Sequence, residues 1–178
     1  MPCPDDRPLR IGVAGPSCSG KSTIAARVAG ILGARHLCLD DRYLRDHERR
    51  YVDADGEAIR SFEHPGAYDG AALLAAVTSS AGPVVAEGFL LFAYPGLAEA
   101  FDLRVFVELS WDEVRRRRAA RTGQTQPKVD AAFDRIGERE WLVHGAPQGE
   151  LPGMLRLDGR RSVEESVGRI LAEAARPS

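Results

Sequence analysis

The segment Gly15-Pro16-Ser17-Cys18-Ser19-Gly20-Lys21-Ser22 sets two glycines five apart and follows the second at once with a lysine and a serine. Glycine lets a backbone turn tightly enough to aim several N–H groups at one anion. The lysine adds a full positive charge, and the serine hydroxyl is a hard donor for magnesium. The chemistry that suits this spacing is the holding of a polyphosphate. Lys21 would neutralise the terminal phosphates of ATP and Ser22 would ligate Mg2+. The backbone of Gly15, Ser17, Cys18, Ser19, Gly20 and Thr23 would cradle the phosphate oxygens.

Two further places carry acids where a phosphoryl transfer would need them. Asp40 and Asp41 follow one apolar run, and Glu87 ends another, Val84-Val85-Ala86. In an open parallel sheet, ligands bind beyond the carboxyl ends of the strands. Asp40 is suited to orienting an acceptor hydroxyl and taking its proton. Glu87 is suited to holding the metal and its water shell, with Asp40 as a second metal ligand. Asp41 reads as the structural neighbour of Asp40.

Arginines at 115, 116, 117, 118 and 121 share one helical stretch. Four consecutive helical residues point in four directions, so only a subset serves one site. Arg118 and Arg121, three apart, lie on one face and precede a loop at 122–127; they could close on the phosphates and exclude water. Arg115 and Arg116 read as a solvated face.

The elements that must position these residues alternate along the chain. Apolar runs at 9–14, 36–39, 84–87, 104–109 and 154–157 read as strands. Helical patterns lie at 22–32 and at 69–78, the latter behind a capping Asp69. Ser110 with Glu113 and Ser162 with Glu165 are spaced as capping boxes opening two more helices. Strands separated by helices require crossover connections, which gives an α/β fold: a mainly parallel five-stranded sheet with helices on both faces and a small lid at about 115–130. Residues 40–66 and 122–130 break the alternation and read as binding and lid loops, the acceptor-binding loop reaching about residue 69.

At 178 residues the chain has the size of a single domain, 1–178. A net charge of −2 supplies no field for a polynucleotide, so the arginine run is not read as a nucleic-acid surface. No apolar stretch approaches the ~20 residues needed to span a bilayer, and no export signal is visible. Cys3, Cys18 and Cys38 match neither a disulfide framework nor a metal-ligand spacing, and read as free thiols of a cytoplasmic protein. The oligomeric state is not legible in the sequence.

Several ordered segments together resemble the uridine kinase and nicotinamide riboside kinase group of P-loop nucleoside kinases, from Leu9 to about Asp158. They are the phosphate-binding segment, Leu39-Asp40-Asp41-Arg42-Tyr43, Glu63-His64-Pro65-Gly66-Ala67-Tyr68-Asp69, Glu87-Gly88-Phe89-Leu90-Leu91-Phe92 and the arginine helix. The resemblance implies a three-layer P-loop NTPase fold and transfer of the ATP γ-phosphate to a ribose 5′-hydroxyl. It implies Asp40 as catalytic base, Asp69 on the ribose hydroxyls and Tyr43 and Tyr68 flanking the base of a nucleoside-like acceptor. Arg118 would reach the acceptor or the transferred phosphate, Arg121 the ATP phosphates, and Arg117 the adenine. His64 reads as loop structure.

Residues 63–65 look like uridine kinases, whereas residues 87–94 and the lid look more like riboside kinases. The lid segment Gly123-Gln124-Thr125-Gln126-Pro127-Lys128 departs from both patterns. Two other readings stay open: a P-loop kinase of another small alcohol, such as pantothenate or a sugar phosphate, and a nucleotide-dependent switch. Against the switch, no Asn-Lys-x-Asp segment for guanine is present.

Overall fold

The structure, a computed structural model, describes residues 7–46, 50–52, 58–60, 62–121 and 133–176. Cys3 and the lid segment 122–130 lie outside the described residues. Seven strands are present among the described residues: β1 (Arg10–Ala14), β2 (Arg35–Cys38), β3 (Arg50–Val52), β4 (Ala58–Arg60), β5 (Val84–Gly88), β6 (Leu103–Glu108) and β7 (Met154–Asp158). Five form one parallel sheet in the order β2-β5-β1-β6-β7. Each of the five lies within one residue of the apolar run that announced it. The chain leaves β1 toward β5 and β2 on one side and later returns to β6 and β7 on the other. The carboxyl end of β1 is therefore the point where strand order reverses, the usual place for a ligand crevice.

Alternation along the strands sorts side chains to two faces. Ile11, Val13, Val85, Val105, Val107 and Leu157 meet Ile24 and Val28 of α1 (Lys21–Leu32) and Val167 and Ile170 of the C-terminal helix. On the other face Leu37, Ala86 and Phe106 meet Leu73 and Val77 of α2 (Gly70–Thr78), together with Phe89, Phe92, Phe101 and Trp141. The expected three layers are thus present.

The caps behave largely as their spacing implied. Asp69 accepts from the Ala72 N–H (2.8 Å) and starts α2. α1 ends at Gly33, whose left-handed φ of 60° a side chain would resist. In α3 (Trp111–Arg121) Ser110 Oγ accepts from the Glu113 N–H at 3.4 Å, but the Glu113 carboxylate is taken up by Arg116 and Arg117. The last helix, α4 (Val163–Ala174), has both halves of its Ser162–Glu165 box.

The stretch 40–66 is less featureless than its pattern suggested. It opens with a 3₁₀ turn, Leu39–Arg42, and β3 and β4 pair antiparallel, Tyr51 opposite Ile59. Three-residue strands are too short to show alternation. Beyond residue 132, wide turns at Phe133–Gly137 and Trp141–Gly145 flank Glu138–Glu140, and a 3₁₀ turn, Ala146–Glu150, closes this irregular helix. A Cβ on Gly145 would fall 1.8 Å from the Trp141 ring, so that ring lies over bare backbone. It stacks on Phe106 and tilts against Phe89, ring centres 5.8 and 4.9 Å away. Among the described residues no helix is long and apolar enough to cross a membrane.

Gly12 of β1 lies under two aromatic rings: an added Cβ would stand 2.7 Å from Phe92 and 2.8 Å from Phe101. Gly12→Ala is expected to cost about 1–3 kcal/mol in urea denaturation, the range for overpacking a filled core. Gly30→Ala, on the open face of α1 with nothing within 4 Å of the new Cβ, is expected instead to gain roughly 1 kcal/mol from helix propensity.

Candidate active site

The phosphate-binding segment leaves β1 at Ala14 and enters α1 at Lys21. Its path needs unusual backbone: Gly15, Cys18 and Gly20 have φ of 155°, 59° and 91°. A Cβ on Gly15 would meet the Val107 carbonyl at 2.7 Å, so the turn also requires glycine for close approach to β6. No side chain caps α1, and no acidic residue sits in its first turn. Its leading N–H groups and positive dipole end are therefore left to the cradle. Ser19 is buried, and its Oγ has no hydrogen-bond partner among the described residues.

Asp40 is placed by its neighbour. Leu39 is fully buried, and Gly88 makes room for it; a Cβ there would stand 2.6 Å from that of Leu39. The 3₁₀ turn then directs Asp40 to the cleft. Water withdrawn by the cleft walls raises the Asp40 pKa; the Lys21 ammonium pulls it back, and the Glu87 and Asp41 charges raise it further. Glu87 stands opposite Cys38 in the β2–β5 register and is 3% exposed. The Cys38 thiol donates to Glu87 Oε1 at 2.9 Å. Burial and this carboxylate together push the thiol up to about 12.

A cleft of about 420 Å³ joins these groups to an aromatic wall. It is lined by Ser17, Lys21, Asp40, Tyr43, Phe62, Glu63, Tyr68, Phe89, Arg118 and Arg121. A single antiparallel bridge, Tyr43 opposite Tyr68, holds the wall together, with Leu44 N–H donating to Ala67 O (2.8 Å) and Asp69 N–H to Arg42 O (2.9 Å). Tyr43 stacks on Phe62 with centres 4.9 Å apart and meets Tyr68 edge-on. The Tyr68 hydroxyl donates to Phe62 O at 2.8 Å. Phe62 itself is 44% exposed, the most open ring of the group.

Several residues singled out from the sequence therefore meet here: Ser17, Lys21, Asp40, Tyr43, Tyr68, Arg118 and Arg121. Asp69 does not line the cleft, because its carboxylate caps α2. Glu87 lies behind Asp40, sealed and bonded to Cys38. Arg117 reaches back to the cradle, donating to Cys18 O at 3.4 Å and to Glu113 at 2.7 Å. Arg115, expected on a solvated face, pairs with Glu138 at 2.5 Å and ties α3 to the irregular helix. Arg116 is exposed and paired with Glu113, as its position implied. His64 is loop structure, accepting from the Gly66 N–H at 2.9 Å.

Sequence reading missed Phe62, Glu63 and Phe89. Glu63 is the notable one: withdrawn from water, its carboxyl is raised to about 7 although the Arg118 charge opposes the shift. Its signal was its place immediately before His64-Pro65 in an otherwise recognisable segment. A second cleft, about 400 Å³, opens at the carboxyl ends of β6 and β7 between Glu108, Leu109, Ser110, Asp158 and Arg160.

The chain is 25% identical over 179 residues to nicotinamide riboside kinase 1 of Rattus norvegicus and to that of Mus musculus, covering 90% of this chain and of each relative. It is 25% identical over 135 residues to the uridine kinase of Clostridium perfringens, covering 60% of this chain and 64% of that protein. Among solved structures, a gluconokinase from Sinorhizobium meliloti matches with a TM-score of 0.66 at 24% identity, covering 94% of this chain and 92% of that one. Shikimate kinase from Aquifex aeolicus matches at 0.58 and 18%, covering 92% and 95%. No protein-family model matches. The sequence relatives support a relationship to the P-loop nucleoside kinases, and the structures show the same three-layer fold.

At pH 8 a maleimide or iodoacetamide is expected to label Cys18 at least tenfold faster than Cys38, since the thiolate is the reactive form; peptide mass mapping reads the ratio. Glu63 holds its proton more tightly folded than unfolded, where its pKa is 4.5. Folding stability is therefore lost as pH rises from about 4.5 to about 7. Glu63→Gln removes that loss and is expected to raise Tm more at pH 8 than at pH 5, measured in metal-free buffer.

Proposed function

We propose that this protein is a kinase that transfers the γ-phosphoryl group of ATP to the 5′-hydroxyl of a nucleoside. The broader reading, a P-loop kinase of small molecules, is supported by the relatives and the fold. The observation that carries the finer one is the cleft in which the phosphate lysine, two carboxylates with raised pKa, one of them half-buried, and open aromatic faces line one space.

In this reading the backbone from Gly15 to Thr23 and Lys21 hold the β and γ phosphates, and the unpartnered Ser19 hydroxyl is available to the same ligand. Ser22 and Asp40 are hard oxygen donors of the kind magnesium prefers, and they would hold it. Mg2+ bound with ATP supplies charge neutralisation on the phosphates. Glu87, sealed behind Asp40, acts through its charge, sustaining the basicity of Asp40.

Asp40 accepts the proton of the acceptor hydroxyl as its oxygen bonds to the γ phosphorus and the bond from that phosphorus to the β–γ bridging oxygen breaks, releasing ADP. Glu63 takes the place that Asp69 does not fill: its carboxylate can accept hydrogen bonds from two vicinal hydroxyls. Phe62 offers its exposed face to a flat base, braced by Tyr43. Arg118 and Arg121 face the cleft from α3 and stabilise the charge in transfer.

The test is ATP turnover with magnesium against uridine, cytidine, nicotinamide riboside, adenosine and pantothenate, with products identified by mass. A nucleoside monophosphate is expected. Asp40→Asn is expected to lower turnover by about 10²–10⁴-fold with ATP affinity retained. Glu63→Gln should raise the KM for the acceptor and leave that for ATP. If pantothenate alone reacts, or nothing does while ATP binds, the nucleoside reading fails.

A further inference from the structure

Behind the acceptor wall, and outside the cleft lining, two histidines and a carboxylate converge. His64 opens the 3₁₀ turn Pro65–Ala67; Glu140 and His144 stand four apart on the irregular helix. One ligand atom from each lies within 4.8 Å of the other two. Glu140 is 5% exposed, its Oε2 is 3.5 Å from His144 Nε2, and the two imidazoles meet edge to face with centres 4.9 Å apart.

We propose that His64, Glu140 and His144 form a binding site for a divalent transition-metal ion of the zinc class. Two imidazoles and one carboxylate are a donor set suited to such an ion, whereas magnesium prefers oxygen donors alone. Ligand atoms about 2.1 Å from a shared tetrahedral ion lie roughly 3.4 Å apart, so each group needs to move by only about 1 Å or less. Charge favours occupancy as well. The Glu63 and Glu140 carboxylates repel one another across this wall, and a cation bound by Glu140 relieves that repulsion.

Ligation has a defined chemical consequence at His64. Its Nδ1 lone pair now accepts the Gly66 N–H at 2.9 Å. A metal at Nδ1 takes that lone pair, and a metal at Nε2 requires the proton to sit on Nδ1; through either atom the Gly66 bond is released. One neutral hydrogen bond is a small loss against three metal–ligand bonds. The ion would fasten the turn that carries Tyr68 to the helix that follows the lid, two segments 76 or more residues apart in the chain (64 to 140).

The experiment titrates the metal-free full chain with Zn2+ against a chromophoric chelator in millimolar Mg2+, and with Co2+ followed by its visible absorption. One ion per chain is expected, at micromolar affinity or tighter, undisturbed by Mg2+ and raising Tm. His64→Ala and His144→Ala should each weaken binding by about tenfold or more, the double variant should abolish it, and His36→Ala on β2 should leave it unchanged. Circular dichroism and urea midpoints in metal-free buffer establish that the variants are folded. Absence of saturable binding to the parent chain, or binding that survives in the double variant, overturns the site.

Discussion

The cleft depends on the charge of a lysine ammonium acting on a carboxylate that follows one strand, with a second carboxylate buried in the strand beside it. Lys21 opens α1, Asp40 follows β2, and Glu87 lies in β5, so the three come from segments whose only common feature is the edge of the sheet they reach. Parallel pairing brings them there: Cys38 stands opposite Glu87, and Ala14 opposite Gly88. An antiparallel neighbour would have sent one of these groups to the opposite edge. Withdrawal from water is the largest influence on Asp40, Lys21 counters it, and Glu87 and Asp41 add to it. Lys21 alone would hold Asp40 as a weak base. With partial loss of water and two acidic neighbours opposing the lysine, the carboxylate keeps affinity for a proton while the lysine charge can still steady it when charged.

The second half of the cleft rests on backbone ties rather than on a regular element. The Tyr68 hydroxyl holds the Phe62 carbonyl, the Tyr94 hydroxyl holds the Pro65 carbonyl at 2.8 Å, and the Tyr43–Tyr68 bridge joins the two ends of the loop. Tyr94 in turn lies over Gly70, where a Cβ would stand 2.2 Å from its ring. Burial raises the pKa of both phenols, which keeps them as donors. A loop fixed at its carbonyls can present Phe62 to solvent and Glu63 to Arg118 without a strand or helix to carry them.

This difference explains what could be read in advance. The phosphate-binding segment, the five strands and the Asp69 and Ser162 caps announce themselves through fixed spacing, and local rules place them. Asp40 was legible because a strand end is a defined place. Glu63 was not, since no periodicity marks a residue positioned by tertiary ties, and Asp69 drew the ribose role only through the family resemblance, by its place after Tyr68. Its carboxylate meets the nearest uncapped N–H groups instead, which a helix start supplies at no cost in chain distance. Arg115 keeps a partly exposed side chain, as a solvated face implies, but its pairing with Glu138, 23 positions away, was not legible, because a charge run carries no mark of such a partner.

The four consecutive arginines of α3 point in four directions, and each direction has found its own purpose. Arg116 stays in solvent with Glu113, and Arg115 joins the irregular helix through Glu138. Arg117 touches the carbonyl of Cys18, the residue held at positive φ in the cradle. Arg118 lies 3.9 Å from the centre of the Phe133 ring and lines the cleft opposite Glu63. A rotation of α3 therefore cannot be local. It moves a contact to Cys18, the tie to Glu138 and the charge facing Glu63 together. Because a guanidinium stacked on a ring keeps its charge and its in-plane donors, Arg118 can hold Phe133 and still serve an anion.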